Sequence, residues 1–500
     1  MDCIIGLDIG TSSTKAIAFG STGEIIAEHK ISYPILNPKS DYFEQDPEEI
    51  FQAVIESIAF VSNTLKANKQ YTLSGIGISC AMHSLIAVGE KGNPLTNCII
   101  WADSRSKGFA TQIKNSTEGH DIYMKTGTPI HPMSPLCKLA WMRENMKEIF
   151  DASYKFISIK EYVCYKLFKT YMVDYSIASA TGLFNIHSLE WYLPALKVAG
   201  ISSQQLSEPV PITTVLSNLD IVFADLMGLK GSIPFVIGGS DGCLANLGVN
   251  AIKPGDAAVT IGTSGAIRVM TNKPNTDTKA RIFSYLLTED KFVLGGAVNN
   301  GGVILRWFKE NFADEEVSDA LKDGTDVYDA LIKKAATIPP GSDGLVFLPY
   351  LMGERAPHWN TNVKGVFFGM QLLHTKAHFI RAVLEGIIFG IYSVGKVLEE
   401  TTGDINVIFA NGGFAKSSDW VQMLADVFNK KVLIAESYES AALGAAIVAF
   451  KALGIIDRFE DIGRLVPIVD ELTPNLINHH VYMKNFALFE RLYEKLKDEF

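Results

Sequence analysis

The sequence predicts an α/β fold in two halves laid out on one plan. Three observations carry that expectation. Residues 9–12 read Ile-Gly-Thr-Ser, and residues 261–264 read the same four. Each copy follows an apolar run (CIIGLD, DAAVT) and leads into another (KAIAF at 15–19, AIRVM at 266–270). A strand, a glycine turn and a strand make a hairpin, and its return half a chain later marks duplicated units. The rest of each half alternates strand with helix, and 500 residues exceed what one ordinary core holds.

In chain order, Asp46-Pro47-Glu48-Glu49 comes first, setting a capping residue, a proline and acids ahead of an apolar helical pattern running to about Lys66. Leu73 to Ser79, Leu85 to Val88 and Cys98 to Trp101 read as short strands. Asn250 to Pro254 is the expected boundary, giving domains 1–250 and 251–500. Val407 to Ala410 is a strand feeding Gly412-Gly413, and a helix starts at Ser418 with Trp420, Met423, Leu424 and Val427 on one face. Trp141 and Trp307 fall at helical spacing among apolar neighbours and read as core.

Composition narrows the class. The net charge is −10, from 45 Lys and Arg against 55 Asp and Glu, with no run of like charge. That argues against a nucleic-acid or anionic-membrane partner. An anionic substrate would then be held by a few local cations. The N-terminus lacks the basic flank and apolar stretch of a secretory signal. Ala441 to Phe450, the longest apolar stretch, is shorter than the ~20 residues of a membrane span. The six cysteines lack CxxC spacing and none lies beyond Cys243, which reads as reduced thiols and a cytoplasmic protein.

Asp8-Ile9-Gly10-Thr11-Ser12-Ser13-Thr14-Lys15 assembles the chemistry of a phosphate loop. Gly10 permits a tight turn and close backbone approach. Hydroxyls and N–H groups of Thr11, Ser12 and Ser13 can bond phosphate oxygens, Lys15 can add charge, and Asp8 can hold Mg²⁺ through water. A hydroxyl-rich hairpin turn explains one such loop equally well. The second loop, Gly262-Thr263-Ser264-Gly265, tips the balance, because two such hairpins can hold a polyphosphate. Gly412-Gly413 supplies a third glycine turn. There is no GxxxxGK[ST] motif. Gly238-Gly239-Ser240-Asp241-Gly242 places a carboxylate among glycines after the apolar run PFVI, either as a reactive group or as a helix cap.

At these residues the chain resembles the FGGY carbohydrate kinases. Met133 to Asn145 (MSPLCKLAWMREN) and Gly365 to Glu385 (GVFFGMQLLHTKAHFIRAVLE) match the two signature regions of that family. The resemblance implies two duplicated actin-like (ribonuclease H-like) ATPase domains, with mixed sheets flanked by helices. It places the sugar site and first phosphate loop (Asp8, Gly10, Thr11, Ser12, Ser13) in residues 1–250. The second phosphate loop (Gly262, Thr263) and an adenosine site (Gly412, Gly413, Ser417) fall in 251–500. ATP and Mg²⁺ are the implied cofactors, Asp241 the implied general base, and a homodimer the implied assembly. Loops matching the family's substrate contacts are Met82-His83, Trp101-Ala102-Asp103 and His131-Pro132-Met133.

Glycerol kinases carry Arg-Glu where this chain has Met82-His83. The stretches 120–136, 173–186, 240–268, 298–307 and 348–360 resemble the branch of the family that phosphorylates D-gluconate. A carboxylate on that substrate calls for a cation or a row of donors, with His83, His131 and Arg105 nearest the matched loops. The alternatives at this point are a kinase for xylulose or a related pentulose, and an actin-like ATPase with no small-molecule acceptor. His374 and His378, spaced i, i+4, read as surface residues without a third ligand.

Overall fold

The structure is a computed structural model that describes residues 1–68, 70–229, 233–435 and 439–500. The chain forms two compact units. The first comprises Met1–Ile252, Thr271–Val293 and Glu439–Pro467, and the second Lys253–Met270, Leu294–Tyr438 and Ile468–Phe500. Beyond residue 252 the chain therefore returns to the first unit twice.

The first sheet runs Val215–Leu216, Phe235–Ser240, Thr72–Cys80, Asp2–Ile9, Ser13–Gly20, Ile25–Ser32. Its Phe235–Ser240, Thr72–Cys80 and Asp2–Ile9 strands are parallel, and Asp2–Ile9 also pairs antiparallel with Ser13–Gly20 across the first glycine turn. The second sheet carries a matching order with one further edge strand: Ile468–Leu472, Lys431–Ala435, Val407–Asn411, Asp256–Ile261, Gly265–Thr271, Lys291–Val298, Phe283–Thr288. Here too a hairpin across Gly262 (Asp256–Ile261 with Gly265–Thr271) joins parallel strands. The duplication expected from the two Ile-Gly-Thr-Ser copies is thus a duplication of sheet topology.

Helix Pro47–Ala67 begins where its sequence signals it. Asp46 accepts from the Glu48 N–H, Pro47 occupies the first turn, and Ile50, Val54, Ile58, Val61 and Leu65 are buried. This helix covers one face of the first sheet. The opposite face is covered by Ser440–Ala452, a helix of small and apolar residues from the far end of the chain. It packs with backbone in van der Waals contact: a Cβ on Gly6 would stand 2.0 Å from the Ala442 carbonyl oxygen, and one on Gly77 2.1 Å from that of Ala445. No larger residue fits at either strand position.

A second cluster of buried apolar residues, including Leu85, Leu136, Leu139, Trp141, Phe156 and Leu196, lies beneath the 85–206 segment. In the second unit, Lys376–Thr402 is long and apolar enough to cross a membrane, but 89% of its most apolar window is buried inside the protein, which makes it a core helix.

Candidate active site

The parallel strands of the first sheet end together, and those ends carry the candidate residues. Asp8 pairs in register with Ser79, Ile9 with Cys80, and Ser240 with Cys80. Asp8 and Asp241 therefore stand on either side of the Thr72–Cys80 strand, separated across the sheet by two strand spacings of about 4.8 Å each. The carboxyl ends of parallel strands are where α/β sheets place their ligands.

Asp8 accepts a hydrogen bond from the Ser79 hydroxyl at 2.8 Å. Burial pushes its carboxyl above the ordinary value, against the pull of that bond and of Lys15. A desolvated carboxylate of this kind favours a nearby cation. No group of three His, Cys, Asp or Glu side chains among the described residues could enclose a metal. Mg²⁺ needs none, since it binds through one or two carboxylates, retained waters and phosphate oxygens, and Asp8 fits that role.

The loop after Asp8 is held from several sides. The Gly10 N–H donates to the Ser13 carbonyl at 3.0 Å, closing the turn. The Tyr33 hydroxyl donates to the Gly10 carbonyl at 2.6 Å and the Gln45 amide to the Thr11 carbonyl at 2.7 Å. The Trp101 indole donates to the Thr11 hydroxyl at 2.8 Å, so the Trp101 loop is tied to the first glycine turn. Ser12 is exposed and Ser13 buried. Lys15 forms an ion pair with Glu439 at 2.5 Å.

His83 is buried with a left-handed backbone (φ 67°). Its Nδ1 lies 2.8 Å from the Ala180 carbonyl, which fixes the proton on Nδ1, and its Nε2 lies 3.5 Å from the Tyr285 hydroxyl. His131 has the other tautomer when neutral: its Nδ1 accepts from the Met133 N–H at 3.2 Å, so the proton sits on Nε2. Met82 is half-buried and Met133 buried. Beneath these loops Lys138, fully buried, donates to the carbonyls of His83 (2.5 Å), Ile100 (2.8 Å) and Ile99 (3.2 Å). Burial pulls its ammonium down to about 7.

Asp103 and Arg105 are committed to each other. The Arg105 Nε donates to both Asp103 oxygens at 3.0 and 2.9 Å, its Nη2 meets Glu44 at 2.5 Å, and its guanidinium stacks 3.7 Å from the Tyr42 ring centroid. Arg105 is thus a buried cation whose guanidinium is engaged by Asp103 and Glu44. Asp103 also accepts from the Phe43 N–H at 2.8 Å.

Asp241 opens the helix Asp241–Gly248, and the capping role belongs to its neighbour: Ser240 accepts from the Cys243 N–H. Asp241 is half-buried, and its Oδ1 accepts from the Gly242 N–H at 2.7 Å.

The second unit has its own cavity, of about 510 Å³, lined by Gly262, Thr263, Gly413 and Ser417 among others. Gly412 precedes it with φ 92°. Ile261, Val303, Leu305, Ile332, Phe414 and Trp420 provide its apolar wall. Arg306, Asp326, Tyr328 and Lys416 add polar positions that belong to no motif in the sequence. The second glycine loop is fastened to the helix Gly302–Phe312: the Gly302 N–H donates to the Gly262 carbonyl at 2.7 Å and Val303 to that of Thr263 at 3.0 Å. A cavity of this size, mostly apolar with a few polar groups, suits a nucleotide base and ribose.

The His374–His378 pair closes a turn. His378 is buried, its Nδ1 accepting from Thr375 and its Nε2 3.2 Å from Asp343, while His374 Nδ1 accepts from Gln371. The expectation of two surface residues fails for His378, because the local cap draws its ring inward.

Family models of the FGGY family of carbohydrate kinases match the chain twice, its N-terminal domain at residues 3–248 and its C-terminal domain at 257–453. The chain belongs to that family, and it is a carbohydrate kinase: an enzyme of phosphoryl transfer from ATP to a small-molecule acceptor. It is 47% identical over 498 residues to the gluconokinase of Bacillus subtilis, covering 99% of this chain and 96% of that one. Among solved structures it resembles a gluconate kinase from Lactobacillus acidophilus (TM-score 0.93, 35% identity, 99% and 98% covered). A ligand-bound xylulose kinase from the same organism is as similar (TM-score 0.93, 35% identity, 99% of each chain).

Proposed function

We propose that this chain transfers the γ-phosphoryl group of ATP to D-gluconate, giving 6-phosphogluconate, with Asp241 as the general base. The observation that carries the reaction is the pair of carboxylates, Asp8 and Asp241, at strand ends on either side of Thr72–Cys80 and beside a glycine-hydroxyl turn. Backbone likeness is equal for gluconate and xylulose kinases, so the choice of acceptor rests on sequence: 47% identity with a gluconokinase over nearly the whole chain.

In this reading the first unit binds the acceptor through Met82, His83, Trp101, Asp103, His131 and Met133. Asp103 acts by anchoring its loop through Arg105. His83, its Nδ1 on the Ala180 carbonyl and its Nε2 beside the Tyr285 hydroxyl, shapes the acceptor site, whereas His131 carries an N–H on Nε2, the donor a carboxylate takes. Asp241 accepts the proton of the attacking hydroxyl, which needs placement and little else from the protein. In the first unit Gly10, Thr11, Ser12 and Ser13 offer N–H and hydroxyl donors suited to phosphate oxygens, and in the second Gly262 and Thr263 offer the same chemistry. Lys15 orders the first loop through Glu439. Gly412, Gly413 and Ser417 border the adenosine. Mg²⁺, held through Asp8, would neutralise phosphate charge when bound. Six buried free thiols fit a reducing cytoplasm.

The test is Asp241→Asn, with binding of each substrate measured by calorimetry and turnover by ADP release. The reading expects both affinities within about threefold of wild type and turnover lower by about 10²–10⁴-fold. Near-normal turnover removes the assignment.

A further inference from the structure

Asp241 is reached through a kink in its strand. Between Val236 and Gly239 the pairing with Thr72–Cys80 slips, because Val236 faces Gly77 and Gly239 faces Ser79. One extra residue is therefore accommodated on the Phe235–Ser240 side, as a β-bulge. Gly238 takes it up with φ 63°, and a Cβ there would lie 1.9 Å from the Ile78 carbonyl oxygen. Bulges bend a strand and re-aim the side chains beyond the bend, here that of the base.

A bulge leaves its ladder disrupted, and two buried groups take over. The Lys160 ammonium donates to the Gly239 carbonyl at 3.2 Å and to Asp174 at 2.6 Å, with side-chain exposures of 2% for Lys160 and 0% for Asp174. Asp174 uses its other oxygen to accept from Ile177, capping the short helix Tyr175–Ser179. That helix presents Ser176, whose hydroxyl donates to Ser240 Oγ at 2.6 Å and accepts from the Ser240 N–H at 3.0 Å. Ser240 in turn caps the helix that Asp241 opens. Lys160, Asp174, Ser176 and Ser240 are all buried.

We propose that Lys160, Asp174 and Ser176 are positioning residues for phosphoryl transfer: they clamp the Gly238–Gly239 bulge and the Ser240 turn, and so fix where the Asp241 carboxylate points. A buried ion pair is weak evidence for stability taken alone, because desolvating both charges offsets their attraction. Its value here is geometric, since displacing a reacting group by about 1 Å costs on the order of 10²-fold in rate. The clamp rests on Asp241 being the base.

Two variants test it, Ser176→Ala and the neutral pair Lys160→Met/Asp174→Asn, each alone and combined with Asp241→Asn. Readouts are kcat, KM for ATP and for gluconate, and melting temperature. The clamp predicts that Ser176→Ala, which removes one hydroxyl, melts near wild type yet loses about 10–10²-fold in kcat. Both KM values should hold within about twofold, and no further loss should appear in the Asp241→Asn background, where the group being positioned is already gone. The neutral pair should behave alike. A folded Ser176→Ala with wild-type kcat, beside an inactive Asp241→Asn, overturns the clamp and leaves the base. A full additional loss on top of Asp241→Asn also overturns it. An active Asp241→Asn removes the base and the clamp together.

Discussion

Arg105→Met separates two uses of the most conspicuous cation near the acceptor loops. The guanidinium makes three contacts to Asp103, at 3.0, 2.9 and 2.8 Å, and one to Glu44 at 2.5 Å, with side-chain exposure of 3% for Arg105 and 0% for Asp103. Removing one partner of a buried pair leaves the other charge uncompensated, at a cost of about 3–5 kcal/mol. The Phe43 N–H and the Arg105 backbone N–H still reach the Asp103 carboxylate, which places the loss toward the lower end. Unfolding entropy scales with size, so in a unit this large each kcal/mol shifts the melting temperature by about 1.5 °C and the fall should be roughly 5 °C. Arg105→Lys keeps the charge without the fork and should fall part of the way. Thermal unfolding is the assay, paired with KM for gluconate and for xylulose. If Arg105 is structural, both KM values shift together or not at all. A variant that melts like wild type while KM rises for gluconate alone would show that Arg105 reads the substrate carboxylate, and the structural role would fall.

Three further outcomes are expected from the same geometry. Lys138→Met removes the donor shared by the His83, Ile99 and Ile100 carbonyls, so steady-state kinetics should show a gluconate KM raised about tenfold, worth about 1.4 kcal/mol, with the ATP KM unchanged. Gly301→Ala would set a Cβ 2.5 Å from the Ser264 backbone, beside Gly262 and Thr263; the ATP KM should rise by at least about tenfold while the acceptor KM holds. His358 stacks on Tyr493 at 3.5 Å and burial pulls its imidazole down from 6.5 to about 4. The unfolded chain takes up a proton below 6.5 and the folded one only below about 4, so stability is full above 6.5 and is lost as pH falls through that window. At pH 5 the loss is about 2 kcal/mol, and His358→Phe, which keeps the stack, should lack it in melts compared at pH 7.5 and 5.

Local signals in the sequence located both hairpins, the Asp46-capped helix and the Ser418 helix, because turn and cap chemistry is written in adjacent residues. Long-range placement was not legible. Ser440–Ala452 is apolar on nearly every face, which says that it is buried but not that it lies against Gly6 and Gly77. Nothing near Lys15 announces Glu439, its ion-pair partner 424 residues away. Nothing in the sequence joins Lys138 to its three carbonyl partners, and Arg105, which the sequence offers to a substrate carboxylate, is engaged by Asp103 and Glu44. Arg306, Tyr328 and Lys416 reach the second cavity from separate segments, with no motif to join them. The glycines around Asp241 were visible, but the bulge they form depends on register with a strand from far away in sequence.

Phosphoryl transfer to gluconate is decided by ADP release with Mg-ATP across D-gluconate, D-xylulose, L-ribulose, glycerol and no acceptor. Release with gluconate well above every other condition is the predicted result. Release with xylulose instead would keep the kinase and overturn the acceptor, and equal release without any acceptor would contradict phosphoryl transfer to a sugar acid altogether.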